Sequence, residues 1–260
     1  MHNWADACTP DLDGAPPRLA DGDVHVWRIA TGPHLAAPDA ALLSVDEQAH
    51  AGTLRHDADR RAYLLAHAAM RAVLSSYVPC TPRELAFRLG PFGKPVLVSA
   101  GSPPPLQFNL AHAGRFALLA VARARAVGID VSRIDPAVNH AVIAEGSFSP
   151  REREWLKAVP PEEKRPAFHA AWSRKEAYVK ATGYGLTRGL DHFDVSFAPG
   201  EPPALLADRL DPDAPSRWRL FDLHPGEGYC AALVVEAPVG TITLFDAPSA
   251  ASFHAPQASV

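Results

Sequence analysis

The 260-residue chain predicts an α+β fold of two similar lobes, each with a long helix packed on a small antiparallel sheet. Two observations carry this. Asp59 to Tyr77 and Pro166 to Thr182 read as long helices, and each is followed by short apolar runs of strand length. No apolar run approaches the roughly 18 residues of a membrane span, so the apolar stripes must be buried within a globular body.

The elements follow in order. Residues 1–22 are rich in Pro, Asp, Ala and Gly and predict a loose arm. Asp23 to Ile29 alternates apolar and polar residues, as a strand does. Ser44-Val45-Asp46-Glu47 reads as a helix start, with a capping serine and acids in the first turn. In the first long helix Tyr63, Ala66, Met70, Val73 and Tyr77 make one stripe, ended by Pro79 and Pro82. Leu85 to Leu89 and Val96 to Val98 are short strands, and 101–105 is a Gly/Pro loop. Phe108 to His112 and Phe116 to Ala122 form strand, turn and strand around Gly114, before a strand at Val127 to Val131. The order then recurs. Short helices at 137–145 and 150–158 lead to the second long helix, and strands follow at 193–197, 218–223, 229–235 and 241–244. The lobes are thus expected over 23–125 and 126–246, with a Pro/Asp-rich insertion at 199–215 and a disordered tail at 247–260.

Composition bounds the function. Hydrophobic content of 47% and charged content of 21% are those of a soluble domain. The N-terminus carries Asp6 and Asp11 and lacks the apolar core of a signal peptide, so a cytoplasmic protein without membrane contact is expected. Cys8, Cys80 and Cys230 are too far apart for a metal motif or a disulfide framework. A net charge of −4 disfavours nucleic acid as a partner. Between Arg151 and Arg188, however, nine Lys/Arg stand against five Asp/Glu. That run is either a solvated helical face or a meeting place for an anionic partner.

Four segments carry chemistry. In Trp172-Ser173-Arg174-Lys175-Glu176-Ala177-Tyr178-Val179-Lys180, Trp172, Glu176 and Lys180 are spaced four apart and stack on one face, bordered by Lys175. A carboxylate beside two ammonium groups suits a metal ion and a phosphate held together, though Glu176 and Lys180 also fit a surface ion pair. In Val127-Gly128-Ile129-Asp130-Val131-Ser132, Asp130 is an acid within an apolar strand, and Ser132 faces its side. Asp130 equally fits an acid capping a turn. Gly93-Lys94-Pro95 allows a close backbone approach and offers an ammonium to phosphate, or is simply a turn. Asn109 and His112, in Phe108-Asn109-Leu110-Ala111-His112-Ala113-Gly114, end a strand beside a glycine. A histidine there either meets a phosphate oxygen or is structural.

Together and in this order, the four segments resemble the Sfp-like 4′-phosphopantetheinyl transferases. That family runs Gly-Lys-Pro, Phe-Asn-(Ile/Leu)-Ser-His-Ser-Gly, Gly-(Ile/Val)-Asp-(Ile/Val)-Glu and Trp-(Ser/Thr)-x-Lys-Glu-(Ala/Ser)-x-x-Lys-x-x-Gly. The likeness extends from Arg61–Ser76 to Tyr229–Val235. It implies a monomer with pseudo-twofold symmetry that binds coenzyme A between its lobes. Such an enzyme moves the phosphopantetheine arm to a serine of an acyl or peptidyl carrier protein and releases 3′,5′-ADP. By the resemblance, Asp130, Glu176 and Ser132 are the Mg²⁺ positions, and Glu176 and Lys180 the catalytic pair. Gly93, Lys94, Pro95, Asn109, His112, Lys175, Lys180 and Arg61 become the candidate coenzyme A contacts. Glu176, directly or through a water, is the candidate base for the carrier serine.

The chain departs from the pattern in places. Ser132 stands where many members carry a second acid, and Ala111 and Ala113 replace serines beside His112. Arg55, Arg60 and Arg61 are the candidates for the 3′-phosphate, since Glu47-Gln48-Ala49-His50 offers no obvious one. Carrier proteins are acidic in this family, which makes Arg151 to Arg188, with Phe148 and Trp155, the candidate docking surface. The competing reading is a non-catalytic coenzyme A or carrier-protein binding module. A nucleotide hydrolase is disfavoured because no Gly-x-x-x-x-Gly-Lys-[Ser/Thr] loop is present.

Overall fold

The computed structural model describes residues 2–10, 18–98, 105–185, 189–198 and 201–248. Most of the 101–105 loop, Leu186 and the tail from 249 lie outside them. The chain runs β1 (His2–Asn3), β2 (Val24–Ala30), α1 (Val45–Thr53), α2 (Asp57–Ser75), β3 (Phe87–Leu89), β4 (Pro95–Leu97), β5 (Leu106–Ala113) and β6 (Phe116–Arg123). It continues through β7 (Val127–Arg133), α3 (His140–Ser147), α4 (Pro150–Ala158), α5 (Lys164–Thr182), β8 (Phe193–Val195), β9 (Leu205–Asp208), α6 (Ala214–Arg217), β10 (Trp218–His224), β11 (Tyr229–Glu236) and β12 (Ile242–Asp246).

Local chemistry sets the helix ends. Ser44 caps α1 in a box with Glu47, and Ser149 caps α4 in the same way with Glu152. α5 stops at Gly183, whose φ of +72° is the left-handed conformation a glycine adopts freely.

Two sheets form the centre, in the orders β12-β2-β6-β5 and β1-β10-β11-β7. Their period-two alternation builds four layers. On β6, Ala117, Leu119 and Val121 face the core under α2, while Leu118, Ala120 and Ala122 face the opposite sheet. On β11, Ala231, Leu233 and Val235 meet that same inter-sheet core, while Ala232 and Val234 face the core under α5. The order is therefore helix, sheet, sheet, helix, and the three-strand unit β2-β6-β5 recurs as β7-β11-β10.

The chain termini depart from the sequence expectation. β1 pairs in parallel with β10, and Trp4 behind it is buried with Nε1 donating to the Phe245 carbonyl at 3.1 Å. A large indole and an open sheet edge hold this segment where composition alone suggested a loose arm. β12, expected in the second lobe, pairs in parallel with β2 of the first sheet, and Phe245 stacks on Trp27. The segment at 199–215 contains β9, paired with β8, and the first residues of α6. Buried Leu205 and Ala214 tie its described residues to the core under α5.

Candidate active site

β7 turns Val127, Ile129 and Val131 to the inter-sheet core, which leaves Gly128, Asp130 and Ser132 to face α5. α5 answers with a stripe at spacings of four, three and four: His169, Ser173, Glu176 and Lys180. The two elements run antiparallel. Lys180 Nζ donates to Asp130 Oδ1 at 2.6 Å, and Ser132 Oγ and His169 Nδ1 lie 2.7 Å apart. The helix approaches so closely that a Cβ on Gly128 would sit 2.1 Å from the Ala177 carbonyl oxygen. Only glycine at 128 permits this contact, and with it the placement of the polar stripe.

Asp130 is buried, and burial pushes its carboxyl above the usual range despite Lys180. Its Oδ2 has no hydrogen-bond partner among the described residues. Glu176 is also pushed up, by burial and then by the negative charge of Asp130, with Lys180 opposing. One ammonium thus serves two crowded carboxylates, and an orphaned oxygen lies between protein layers. That donor set suits a hard cation. Among the described residues no group of three or more His, Cys, Asp or Glu gathers to enclose a metal. A pair of carboxylates is what Mg²⁺ takes when phosphate and water complete its shell.

Glu176 and Lys180 line a cleft of about 240 Å³ together with Phe92, Gly93, Lys94 and Asn109, with Asp130 buried behind Lys180. Pro95 and Asn109 also line a larger cavity of about 860 Å³, whose walls include His50, Tyr63, His67 and His112. Asn109 joins the lobes, its Oδ1 accepting from the Ile129 amide at 2.8 Å. Lys94 does the same from the β3–β4 turn. Its Nζ donates to the carbonyls of Val127 at 2.8 Å and Ala181 at 3.4 Å, and burial lowers its pKa to about 8. A cation at the C-terminus of α5 also complements that helix's dipole. His112 lies near Lys180, and burial, then the charges of His67 and Lys180, hold its pKa below the ordinary value.

The chain is similar to known proteins over most of its length. Residues 126–234 match the model of the 4′-phosphopantetheinyl transferase superfamily, and residues 33–124 match that of the 4′-phosphopantetheinyl transferase N-terminal region. The chain is 35% identical to the 4′-phosphopantetheinyl transferase HetI of Nostoc sp., across 85% of this chain and 91% of that protein. The chain belongs to the 4′-phosphopantetheinyl transferase family. It is also 32% identical to the transferase psf-1 of Bacillus pumilus, across 71% of this chain and 76% of that one. With Sfp of Bacillus subtilis it shares 26% identity, across 74% and 83%.

Within this transferase the residues expected from sequence divide into two groups. Gly93, Lys94, Pro95, Asn109, Glu176 and Lys180 meet at the smaller cleft, Asp130 pairs with Lys180 there, and His112 lines the larger cavity. Lys175 does not join them. It is 0% exposed, with Nζ on both Glu152 oxygens at 2.8 and 2.7 Å and on the Phe193 carbonyl at 2.7 Å. One step along a helix buried on most sides turned it into a different layer. Arg61 lines neither cavity and donates to the Leu35 carbonyl. Ser132 faces the Asp130 side, but its hydroxyl is bonded to His169, which is 3% exposed. Phe148 is buried within the core under α5 and offers no docking surface. The basic run is also reduced as a surface. Arg174 and Lys175 are buried, while Arg153 and Lys157 pair with Glu145 and Glu154. Sequence reasoning passed over His169, although its spacing to Ser173, Glu176 and Lys180 carried the signal.

Proposed function

We propose that this transferase takes the phosphopantetheine arm from coenzyme A and places it on a serine of an acyl or peptidyl carrier protein, releasing 3′,5′-ADP. The observation that carries this is the Asp130–Lys180 pair beside Glu176, with Glu176 and Lys180 lining a cleft that shares Pro95 and Asn109 with a larger cavity of about 860 Å³. The orphaned Asp130 oxygen and the raised carboxyl of Glu176 support Mg²⁺ on those two residues. When bound, the ion supplies charge neutralisation to the pyrophosphate.

The chain's own groups do the rest. The serine oxygen attacks the phosphorus that bears pantetheine as the bond to the departing 3′,5′-ADP oxygen breaks. Lys180, held within reach by Asp130, stabilises the charge that builds on the leaving phosphate. Glu176 receives the serine proton, since a carboxylate with a raised pKa is the better base. Asn109 and Lys94 hold the lobes at the spacing the cleft requires. The acidic carrier meets the exposed basic residues of the α4 region, where Arg151 stacks over Trp155. A cytoplasmic monomer fits this role, and no described helix is long and apolar enough to cross a membrane.

The test incubates the protein with apo-carriers, coenzyme A and Mg²⁺ and weighs each carrier. A gain of about 340 Da, the transferred arm, is expected on at least one carrier and is lost when Mg²⁺ is withheld. Glu176→Ala and Asp130→Ala are expected to abolish the gain without unfolding the chain. Binding of coenzyme A with no gain on any carrier establishes the binding module instead.

A further inference from the structure

The contact between β7 and α5 holds a second polar pair besides Asp130 and Lys180. Ser132 Oγ and His169 Nδ1 lie 2.7 Å apart, and His169 is 3% exposed. Within this layer, among the described residues, two buried side-chain atoms lack a hydrogen-bond partner. They are Asp130 Oδ2 and His169 Nε2.

A histidine buried for packing alone is unfavourable. It leaves Nε2 desolvated and unpaired, which Leu or Phe in the same space avoids. What the imidazole adds over an apolar side chain is the Nδ1 contact. A serine hydroxyl has one hydrogen and two lone pairs. The bond to His169 uses one of the three and fixes the rotamer. Whichever group donates, at least one lone pair on Ser132 remains. β7 puts that oxygen on the same face as Asp130, two residues along.

Charge gives a reason for a neutral group at this position, where the family pattern has a second acid. Asp130 already repels the charge of Glu176, and Lys180 opposes both. A third carboxylate in the layer would add to that repulsion whenever no cation is bound. A hydroxyl held in one rotamer supplies an oxygen without the charge.

We infer that His169 is a positioning residue for the cation. Through its bond to Ser132 it aims the serine oxygen at the Asp130 side, where that oxygen holds a water of the ion's shell in place of a second acid. This rests on the reading of Asp130 and Glu176 as the Mg²⁺ residues. Groups that orient the shell of a metal without touching it change its affinity about 10–100-fold when removed. His169 acts one bond further out, so the effect belongs at the lower end of that range.

Mn²⁺ alone is the probe, since carboxylate and water sites that take Mg²⁺ also take Mn²⁺. Electron paramagnetic resonance reads the free ion as the protein is titrated, so binding is measured and not transfer. His169→Leu and Ser132→Ala are each expected to weaken binding about tenfold, and the double variant no further than either. His169→Asn keeps a polar atom near the place of Nδ1 and is expected to bind as the parent does. Ser132→Asp is expected to bind more tightly than the parent, and to keep that tightness when combined with His169→Leu, because a charged oxygen needs no aiming. Thermal melts check that each variant is folded, and His169→Phe replaces His169→Leu should that one fail to fold. Ser132→Ala that binds Mn²⁺ as tightly as the parent overturns the inference. So does a His169→Leu effect as large without Ser132 as with it. Both results leave the cation on Asp130 and Glu176. A parent protein that binds no Mn²⁺ overturns the cation reading itself.

Discussion

Glu176 and Asp130 are carboxylates that the fold holds against their own preference. Both are pushed towards the protonated form, first by burial, and Glu176 additionally by Asp130. For Glu176 the linkage has a definite sign. Folding raises its pKa, so its contribution to stability is full below the unfolded carboxyl value and is lost as pH rises through the folded value. Above its raised pKa, Glu176 is carried ionised as a burden in the protein without ligand, and Glu176→Gln removes it. The variant is expected to melt about 2–4 °C above the parent at pH 8, with the two curves converging near pH 4. Its transfer rate falls by about 10²–10³-fold. Thermal melts across pH decide this; a variant that melts no higher at pH 8 contradicts the electrostatic account. Part of this site was legible in the chain itself. Asp130 stood out as an acid in an apolar strand, and Glu176 and Lys180 shared a helical face. Lys175 misled because spacing reports angle around a helix and not what lies beyond it. The angle was close to the site, but the neighbour there is Glu152.

Between elements, the contact of β7 with α5 decides whether the residues meet. Gly128 is the point of closest approach, where a Cβ would meet the Ala177 oxygen at 2.1 Å and the Ala181 nitrogen at 2.3 Å. Both are backbone atoms, so relief requires moving the helix. Gly128→Ala is expected to cost about 3 kcal/mol or more and to separate Lys180 from Asp130, measured by urea unfolding and by loss of transfer. Gly146→Ala in α3 is the matched control. Nothing lies within 4 Å of its added Cβ, and a gain of about 0.5–1 kcal/mol is expected there. Equal effects at the two positions refute the packing account. The long helices and most strands were legible because their apolar spacing is strong, as in the Tyr63 to Tyr77 stripe. Short β9 and α6 were not, since four residues give too little period to read.

Across the whole molecule, the ends of the chain cross over. β1 closes the sheet of the second half, and β12 closes that of the first. Trp4 and the apolar faces of β2, β6, β7, β10 and β11 share one core between the sheets. Sequence could place β12 as a strand, but pairing is a long-range choice that local alternation does not encode. The consequence is mechanical as well as architectural. Each terminal strand closes the sheet of the other half, so the spacing of the halves is expected to depend on the termini. The five tryptophans sample the molecule: Trp27 in the first half, Trp155, Trp172 and Trp218 in the second, and Trp4 in the shared core. With 5-fluorotryptophan incorporated, all five fluorine signals are expected to vanish at one urea midpoint, since the shared core unfolds as a unit. Trp4→Ala is expected to cost about 3–5 kcal/mol and to shift the remaining four signals together. Loss of the Trp27 signal at a midpoint of its own, with the second-half signals unmoved, makes the halves independent and removes the termini from any role in holding the cleft.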